Sequence, residues 1–203
     1  MTRFWFPMML SLCAATAAAA PTSCNVDLEL AQHCTVSIGG MAVTISRGGE
    51  VTSSNGTARL MLPPGFHVDS FVWGGHDDTT IFVLRLSDTD VGASLIARLD
   101  LRAVRVVWRT ELEAFNASDP LVTESSVYLG ALGSVVKLSI KDGAVVWQHD
   151  GLYEPATRSY ASFVQPRQEG DAVVFREQKF STADSRQVRE VRVDDSSGKL
   201  LSN

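Results

Sequence analysis

Short apolar runs separated by polar turns recur along the chain at a nearly constant interval. The four clearest runs are Thr35–Ile38, Thr80–Val83, Ser126–Leu129 and Ala172–Phe175. Their second residues occupy positions 36, 81, 127 and 173, so the intervals are 45, 46 and 46 residues. Self-similarity at a fixed period indicates a repeat architecture. Four such units fill almost the whole chain.

Each unit is predicted to contain four short strands joined by turns. In the third unit these are Leu121–Val122, Ser126–Leu129, Val135–Ile140 and Ala144–Trp147. The second and fourth units follow the same order, and the first does so more loosely, with Val26–Leu30 as its expected first strand and Thr35–Ile38 as its second. No segment keeps a helical period of 3.6 residues for three turns. Four short strands per repeat are typical of a propeller blade.

The pattern therefore predicts an all-β, β-propeller-like fold with about four blades of four antiparallel strands. We expect a single repeat domain over residues 20–203, with units at roughly 24–60, 66–112, 119–152 and 160–203. Four blades is the lower limit of ring size. A closed small ring and an open arc are both compatible with the pattern, and an arc could complete an eight-blade ring as a homodimer.

A motif of Asp or Ser, Gly and Trp recurs where the third strand of a unit turns into the fourth. The positions that hold these residues are Asp100 and Trp108 in the second unit, Gly143 and Trp147 in the third, and Asp194 and Gly198 in the fourth. The motif resembles the quinoprotein-like (PQQ-type) propeller repeat, which reads Ala-x-Asp-x-x-Thr-Gly-x-x-x-Trp. The resemblance covers about residues 66–203 in degraded copies, with a fainter first copy.

The resemblance implies a structural role for these residues. Glycine supplies the positive φ of a tight hairpin turn, and an Asp or Ser side chain bonds the turn backbone. The tryptophan docks on the neighbouring blade with a large buried area. The copies depart from the family pattern at five positions. Val104 replaces the glycine, Ser139 the aspartate and Ser202 the tryptophan, and the threonine position holds Asp142 or Ser197.

The amino terminus favours export. Arg3 provides a positive charge, Phe4–Leu12 an apolar stretch, and Ala14–Ala20 a run of small residues. This order is typical of a secretory signal peptide, so we predict a signal peptide over residues 1–19 and a periplasmic or secreted protein. An uncleaved anchor is the alternative. No other apolar run of 18 residues exists, so no transmembrane segment is expected.

The charge excludes one class of partner. The chain has 18 Lys and Arg against 23 Asp and Glu, a net charge of −5, and its basic residues form no run. Nucleic acid requires a basic stripe facing the phosphates, so no nucleic-acid partner is expected.

No catalytic, cofactor-binding or metal-binding residues are predicted. The densest group of potential ligands, His76–Asp78, lacks the spacing of a calcium or zinc site. The sequence has no nucleophile elbow and no phosphate-binding loop before a helix. Quinoprotein enzymes of the resembling family hold their cofactor in a larger ring of blades, beside a vicinal disulfide or calcium-binding carboxylates, which this chain lacks.

These observations favour an exported, non-catalytic binding or scaffold module of the periplasm with a protein partner in the periplasm or envelope. A rigid repeat core with variable loops is the physical basis for this hypothesis. An inhibitor or immunity protein that blocks an enzyme is one alternative, and the acidic charge would suit a basic target. A quinoprotein-type cofactor protein is the other. Monomer and homodimer both remain open.

Two long loops are candidates for partner contact. They are Leu86–Gly92 and Gly151–Ser162, and the second carries Tyr153, Arg158 and Tyr160. Tyrosine and arginine are enriched at binding hot spots, so we favour these three residues. A plain connection whose tyrosines pack on the adjacent blade is the alternative. We expect loops between second and third strands to lie on the rim opposite the loops between blades.

Cys24 and Cys34 are predicted to form a disulfide, because they alone of the three cysteines remain after removal of a signal peptide that contains Cys13. Free thiols or a metal or redox site are the alternatives. The bridge would stabilise the amino-terminal segment by roughly 2–3 kcal/mol. Mass spectrometry of the protein digested without reduction should show one linked peptide pair. Two free thiols would rule the bridge out.

Overall fold

The computed structural model describes residues 24–25, 33–76, 79–88, 92–153, 160–178 and 188–201. Within these ranges the chain consists of strands and their connections, without a helix. No helix that could cross a membrane is therefore found in this part of the chain. The predicted signal peptide and the expected strand Val26–Leu30 lie outside the described residues.

The described residues contain seventeen strands in four antiparallel sheets, numbered I to IV in chain order. A two-residue strand, β1 (Cys24–Asn25), comes first. Sheet I contains β2 (His33–Ile38), β3 (Met41–Ser46), β4 (Glu50–Ser53) and β5 (Gly56–Arg59). Sheet II contains β6 (His67–His76), β7 (Thr79–Ser87), β8 (Gly92–Asp100) and β9 (Arg105–Leu112).

The other two sheets repeat this meander. Sheet III contains β10 (Leu121–Val122), β11 (Ser126–Ala131), β12 (Ser134–Ser139) and β13 (Val145–His149). Sheet IV contains β14 (Ser162–Glu169), β15 (Ala172–Gln178), β16 (Glu190–Asp194) and β17 (Leu200–Leu201). In every sheet, strands that are consecutive in the chain pair with each other. This confirms the predicted all-β, propeller-like class with four units of four strands.

The sheets stack face to face through three hydrophobic cores. Sheets I and II share a core that includes Val43, Ile45, Phe82 and Leu84. Sheets II and III share one that includes Val72, Ile96, Val127 and Leu129. Sheets III and IV share one that includes Tyr128, Val135, Phe163 and Phe175. No core among the described residues joins sheet IV to sheet I, so the stack is the open arc of the two predicted arrangements.

The outer face of sheet I is polar. Four threonines lie opposite one another across its strands: Thr35, Thr44, Thr52 and Thr57. The hydroxyl groups of Thr35 and Thr44 are 2.7 Å apart and hydrogen-bonded. Within the described residues, this end of the arc therefore presents a polar face.

The outer face of sheet IV carries ion pairs instead. Arg167 contacts Glu169 at 2.7 Å and Glu190 at 2.9 Å, and Arg192 contacts Glu169 at 2.7 Å. This network flanks Val174, which is fully buried at the centre of the face. These ion pairs form within sheet IV, so its outer face, like that of sheet I, is polar.

The first unit differs from the prediction in its strand order. Residues 33–38, expected to include the second strand of the unit, form the first strand of sheet I. The fourth strand is β5, a short edge strand of small and polar residues that has no apolar run to reveal it. The cysteine-bearing strand β1 does not join sheet I at all, since Cys24 pairs with Phe71 in sheet II.

The alignment of repeats by Ile81, Val127 and Val173 is wrong by one residue in sheet II. Val127 packs toward the preceding sheet, and so does Val173. Ile81 packs toward the following sheet, whereas its neighbour Phe82 faces the preceding one. Sheet II is buried on both faces, so its apolar run does not alternate and cannot show which side chains face which way.

Trp108 on β9 docks on the turn between β12 and β13 of the next sheet. Its indole Nε1–H donates to the carbonyl oxygen of Ile140 at 2.9 Å, and the Thr110 hydroxyl donates to that of Gly143 at 2.6 Å. A Cβ atom on Gly143 would lie only 2.5 Å from the indole ring. The glycine is therefore required for the close approach as well as for its φ of 73°.

Trp147 on β13 repeats this contact with sheet IV. Its indole Nε1–H donates to the carbonyl oxygen of Asp195 at 3.2 Å, and a Cβ atom on Gly198 would lie 2.8 Å from the tryptophan. Lys137 adds bonds of 2.9 Å to the same carbonyl and 2.7 Å to the Asp195 carboxylate, which also accepts the Tyr128 hydroxyl at 2.8 Å. This polar cluster anchors sheet IV on sheet III.

Two aspartates stabilise turns next to these tryptophans. Asp100 lies at the end of β8, before the turn into β9, which carries Trp108. Asp194 lies at the end of β16, before the turn that Trp147 contacts. The Asp100 carboxylate accepts hydrogen bonds from the N–H groups of Arg102 and Ala103. The Asp194 carboxylate accepts from the hydroxyl and the N–H group of Ser197, at 2.6 and 2.8 Å. The Ser197 hydroxyl contributes most to lowering the pKa of Asp194, from 3.8 to about 2.

We expect the stability of sheet IV to fall at acid pH because of Asp194. Its pKa is depressed in the folded state, so the ionised carboxylate stabilises the fold above about pH 4, and this contribution is lost between about pH 4 and pH 2. Urea unfolding across this range should show a smaller pH dependence for Asp194→Asn than for the wild type. An unchanged pH profile would contradict the assignment.

Gly198→Ala should destabilise the protein more than Gly170→Ala. Both glycines have positive φ, 71° and 60°, but no atom lies within 4 Å of a Cβ at Gly170, whereas Trp147 blocks one at Gly198. The comparison separates backbone strain from the clash with Trp147. We expect that clash to lower the free energy of unfolding by about 1–3 kcal/mol more. Urea denaturation of both variants measures the difference. Equal losses of unfolding free energy would show that the clash with Trp147 adds nothing to the backbone strain.

Candidate functional site

The turn between β11 and β12 joins the two linkers that flank sheet III. The Leu132 N–H group donates to the carbonyl oxygen of Phe115 in the linker from sheet II, at 3.0 Å. The Gly133 N–H group donates to that of Ala161, just before sheet IV, at 2.6 Å. Turns between second and third strands therefore share one rim with the linkers between sheets. The expectation that they lie on opposite rims is wrong.

Two tyrosines form a stacked aromatic pair on this rim. The rings of Tyr153 and Tyr160 stack with centroids 4.6 Å apart and an angle of 25°, and their hydroxyl groups are 3.2 Å apart. The two residues are 45% and 51% exposed. Gly133 lies against Tyr160, because a Cβ there would be 2.3 Å from the ring. The hydrogen bond to Tyr160 raises the pKa of Tyr153, so the Tyr153 phenol is neutral at physiological pH.

Phe115 adds a third exposed ring. It is 49% exposed and covers Gly92, where a Cβ atom would lie 1.8 Å from the ring. The half-buried side chain of Leu132 belongs to the turn between β11 and β12, whose backbone is hydrogen-bonded to Phe115. We call Phe115, Leu132, Tyr153 and Tyr160 the aromatic rim. The rings of Phe115 and Tyr160 rest on Gly92 and Gly133, and backbone hydrogen bonds hold the segments that carry them.

Arg189 supports the tyrosine pair from sheet IV. Its Nη1 donates to the carbonyl oxygen of Tyr153 at 2.7 Å, and its guanidinium lies 5.3 Å from the ring centre of Phe163. Its Nε is 3.6 Å from a carboxylate oxygen of the buried Glu177. The Nε and Nη2 atoms are buried without a hydrogen bond. Arg189 therefore holds the backbone of Tyr153, and its Nε and Nη2 are not accessible to a ligand.

The sequence identified part of this site. Tyr153 and Tyr160 come together as the two ends of one loop, whereas Arg158 between them lies outside the described residues. Phe115 and Leu132 were missed. The signal that could have indicated Phe115 is that it is the one aromatic residue in linker 113–120.

The other candidates from the sequence have structural positions. Trp108 and Trp147 are 8% and 9% exposed, so neither ring offers a platform to a ligand. Cys34 lies in β2 of sheet I, and β1 with Cys24 pairs with sheet II, so a bridge between the two would link the first two sheets. That disulfide stays a prediction. Asp77 and Asp78 lie outside the described residues.

One group of side chains has the composition of a hydrolytic triad but not its geometry. His67 Nε2 lies 3.1 Å from the Ser87 hydroxyl and 3.1 Å from a carboxylate oxygen of Asp69. A triad requires the acid and the nucleophile on different ring nitrogens, so that the base can pass a proton between them. This arrangement cannot do so. No group of three potential metal ligands is found among the described residues.

Comparison with known proteins identifies the repeat. The profile of the family described as outer membrane protein assembly factor BamB matches residues 39–202. Quinohemoprotein alcohol dehydrogenase ADHIIG from Pseudomonas putida HK5 is similar in structure, with a TM-score of 0.50 and 10% identity over 89% of this chain and 35% of that one. BamB from Moraxella catarrhalis aligns with a TM-score of 0.40 and 14% identity, over 89% of this chain and 65% of that one.

The chain thus spans less than two thirds of the length of either protein. The computationally designed Ika4 protein aligns with a TM-score of 0.44 and 10% identity, over 81% of this chain and 94% of that one. No curated protein sequence matches the chain significantly. The family profile extends over most of the chain and includes the three units that carry the tryptophan and glycine motif. This chain belongs to the family of outer membrane protein assembly factor BamB, with propeller repeats of the PQQ type.

Proposed function

We propose that this chain is a non-catalytic, protein-binding module of the cell envelope whose partner docks on the aromatic rim. The observation that carries the proposal is the presence of exposed Phe115, Tyr153 and Tyr160 side chains on a fixed frame. The family description, an outer membrane protein assembly factor, and the predicted signal peptide over residues 1–19 support an envelope location.

The physical reason is that the rim offers a large contact area with little entropy to lose. Tyrosine has few rotatable bonds, and the stacked pair of Tyr153 and Tyr160 restricts those further. Preorganised side chains improve affinity because binding does not have to order them. Aromatic residues at the centre of an interface are also the commonest hot spots.

The chemistry of the rim indicates the kind of partner. Exposed rings and Leu132 favour apolar side chains, while the tyrosine hydroxyl groups can bond to a polypeptide backbone. The net charge of −5 would accelerate association with a basic protein. We therefore propose a protein segment that combines apolar side chains with flanking basic residues.

Site-specific photo-crosslinking in cells of the source organism tests the proposal. A photoreactive phenylalanine analogue replaces Phe115 or Tyr160 on the rim, and Lys141 serves as the control. Lys141 is exposed in the turn between β12 and β13, at the other end of the same strand from Leu132. Both rim positions should yield one common crosslinked protein, and Lys141 should not. Crosslinks only from Lys141 would overturn the rim as the binding surface.

A double variant, Tyr153→Ala with Tyr160→Ala, tests whether the rings act in binding or in folding. Both rings are about half exposed, so the free energy of unfolding should change by no more than about 1 kcal/mol while retention of the crosslinked partner is lost. Val146→Ala, at another exposed apolar residue, is the control and should retain the partner. A loss of several kcal/mol in the double variant would assign the tyrosines to the core instead.

A further inference from the structure

A cleft of about 580 Å³ opens where sheet I meets the start of sheet II. Its lining residues are His33, Ser46, Arg47, Gly48, Phe66 and His67. They come from the start of β2, from the turn between β3 and β4, and from the start of β6. The lining contains one arginine, two histidines and a serine, but no aspartate or glutamate.

The turn that carries Arg47 is held in place from several sides. The Gly49 N–H group donates to the carbonyl oxygen of Ser46 at 2.9 Å, and the carbonyl oxygen of Gly49 accepts from Leu60 at 2.8 Å. The carbonyl oxygen of Arg47 accepts the N–H group of Val68 at 3.0 Å, which ties the turn to β6. Arg47 and His67 are thus kept side by side by backbone bonds that need no ligand.

The donors of the cleft are available. Within the described residues the Arg47 guanidinium makes no hydrogen bond or ion pair. The Ser46 hydroxyl oxygen accepts the N–H group of Glu50 at 3.0 Å, which leaves its own hydrogen to donate. An unpaired guanidinium beside a hydroxyl donor, in a cleft whose described lining has no carboxylate, is suited to an anion with several oxygens.

One carboxylate contacts a histidine of the cleft. A carboxylate oxygen of Asp69 is buried and lies 3.1 Å from His67 Nε2. Within the described residues Asp69 forms no ion pair with Arg47, so it does not neutralise the guanidinium.

We infer that this cleft binds an oxyanion, a phosphoryl or sulfuryl group, with Arg47 as its main ligand. The group is carried either as the free ion or as an ester whose organic part rests on the half-buried ring of Phe66. This site is separate from the aromatic rim and does not depend on the function proposed for it.

Titration of the full mature protein with inorganic phosphate and with phenyl phosphate, followed by amide chemical shifts, tests the inference. Both probes should shift the amides of residues 46–48 and 66–67. Arg47→Gln should weaken binding at least about tenfold, since it removes a charged hydrogen-bond donor. Arg47→Lys, which keeps the charge but loses the planar fork, should weaken it less.

The matched control is Arg59→Gln, which removes the same charge from an exposed position of sheet I outside the cleft. It should leave both affinities unchanged. Tighter binding of phenyl phosphate would identify an ester as the ligand, and equal affinities would identify the free ion. The inference is overturned if neither probe binds, or if Arg47→Gln and Arg59→Gln weaken binding equally, because the effect is then one of net charge. Thermal unfolding of each variant verifies that the fold is intact.

Discussion

The docking of a tryptophan on a glycine turn of the next sheet is the contact on which the rest of the arc depends. Trp108 joins sheet II to sheet III in this way, and Trp147 joins sheet III to sheet IV. Each indole fills the space that a side chain would occupy at Gly143 or Gly198. The contact buries a large ring and satisfies its N–H group at the same time, which fixes both the distance and the register between sheets.

At sheets I and IV, where this contact is missing, the side chains make other contacts. No tryptophan of sheet I docks on a turn of sheet II. Instead, the Asn55 amide donates to the carbonyl oxygen of Leu101 at 3.5 Å. On sheet IV, Arg192 occupies the place of Lys137 but contacts Glu169 of its own sheet. The two ends of the arc are thus polar, whereas buried apolar cores join the sheets between them. Backbone hydrogen bonds from sheet III then hold the linkers of the aromatic rim.

The sequence predicted the strands of the second, third and fourth units well, because each contains an apolar run bounded by polar turns. It failed in the first unit, where β5 has the sequence Gly-Thr-Ala-Arg and carries no apolar signal. The direction of Ile81 was also wrong, because both faces of sheet II are buried. Of the aromatic rim, the sequence pointed to Tyr153 and Tyr160 but could not bring Phe115 near them, since 38 residues separate Phe115 from Tyr153.

The sequence by itself determined the repeat length, the all-β class and the residues of the docking motif, because these depend on local patterns of polarity and turn chemistry. Tertiary structure alone decided that the arc is open, which face each strand buries and which loops share a rim. Those features depend on contacts between units about 46 residues apart. The cleft beside Arg47 is of the same kind, since backbone bonds between two sheets place Arg47 next to His67.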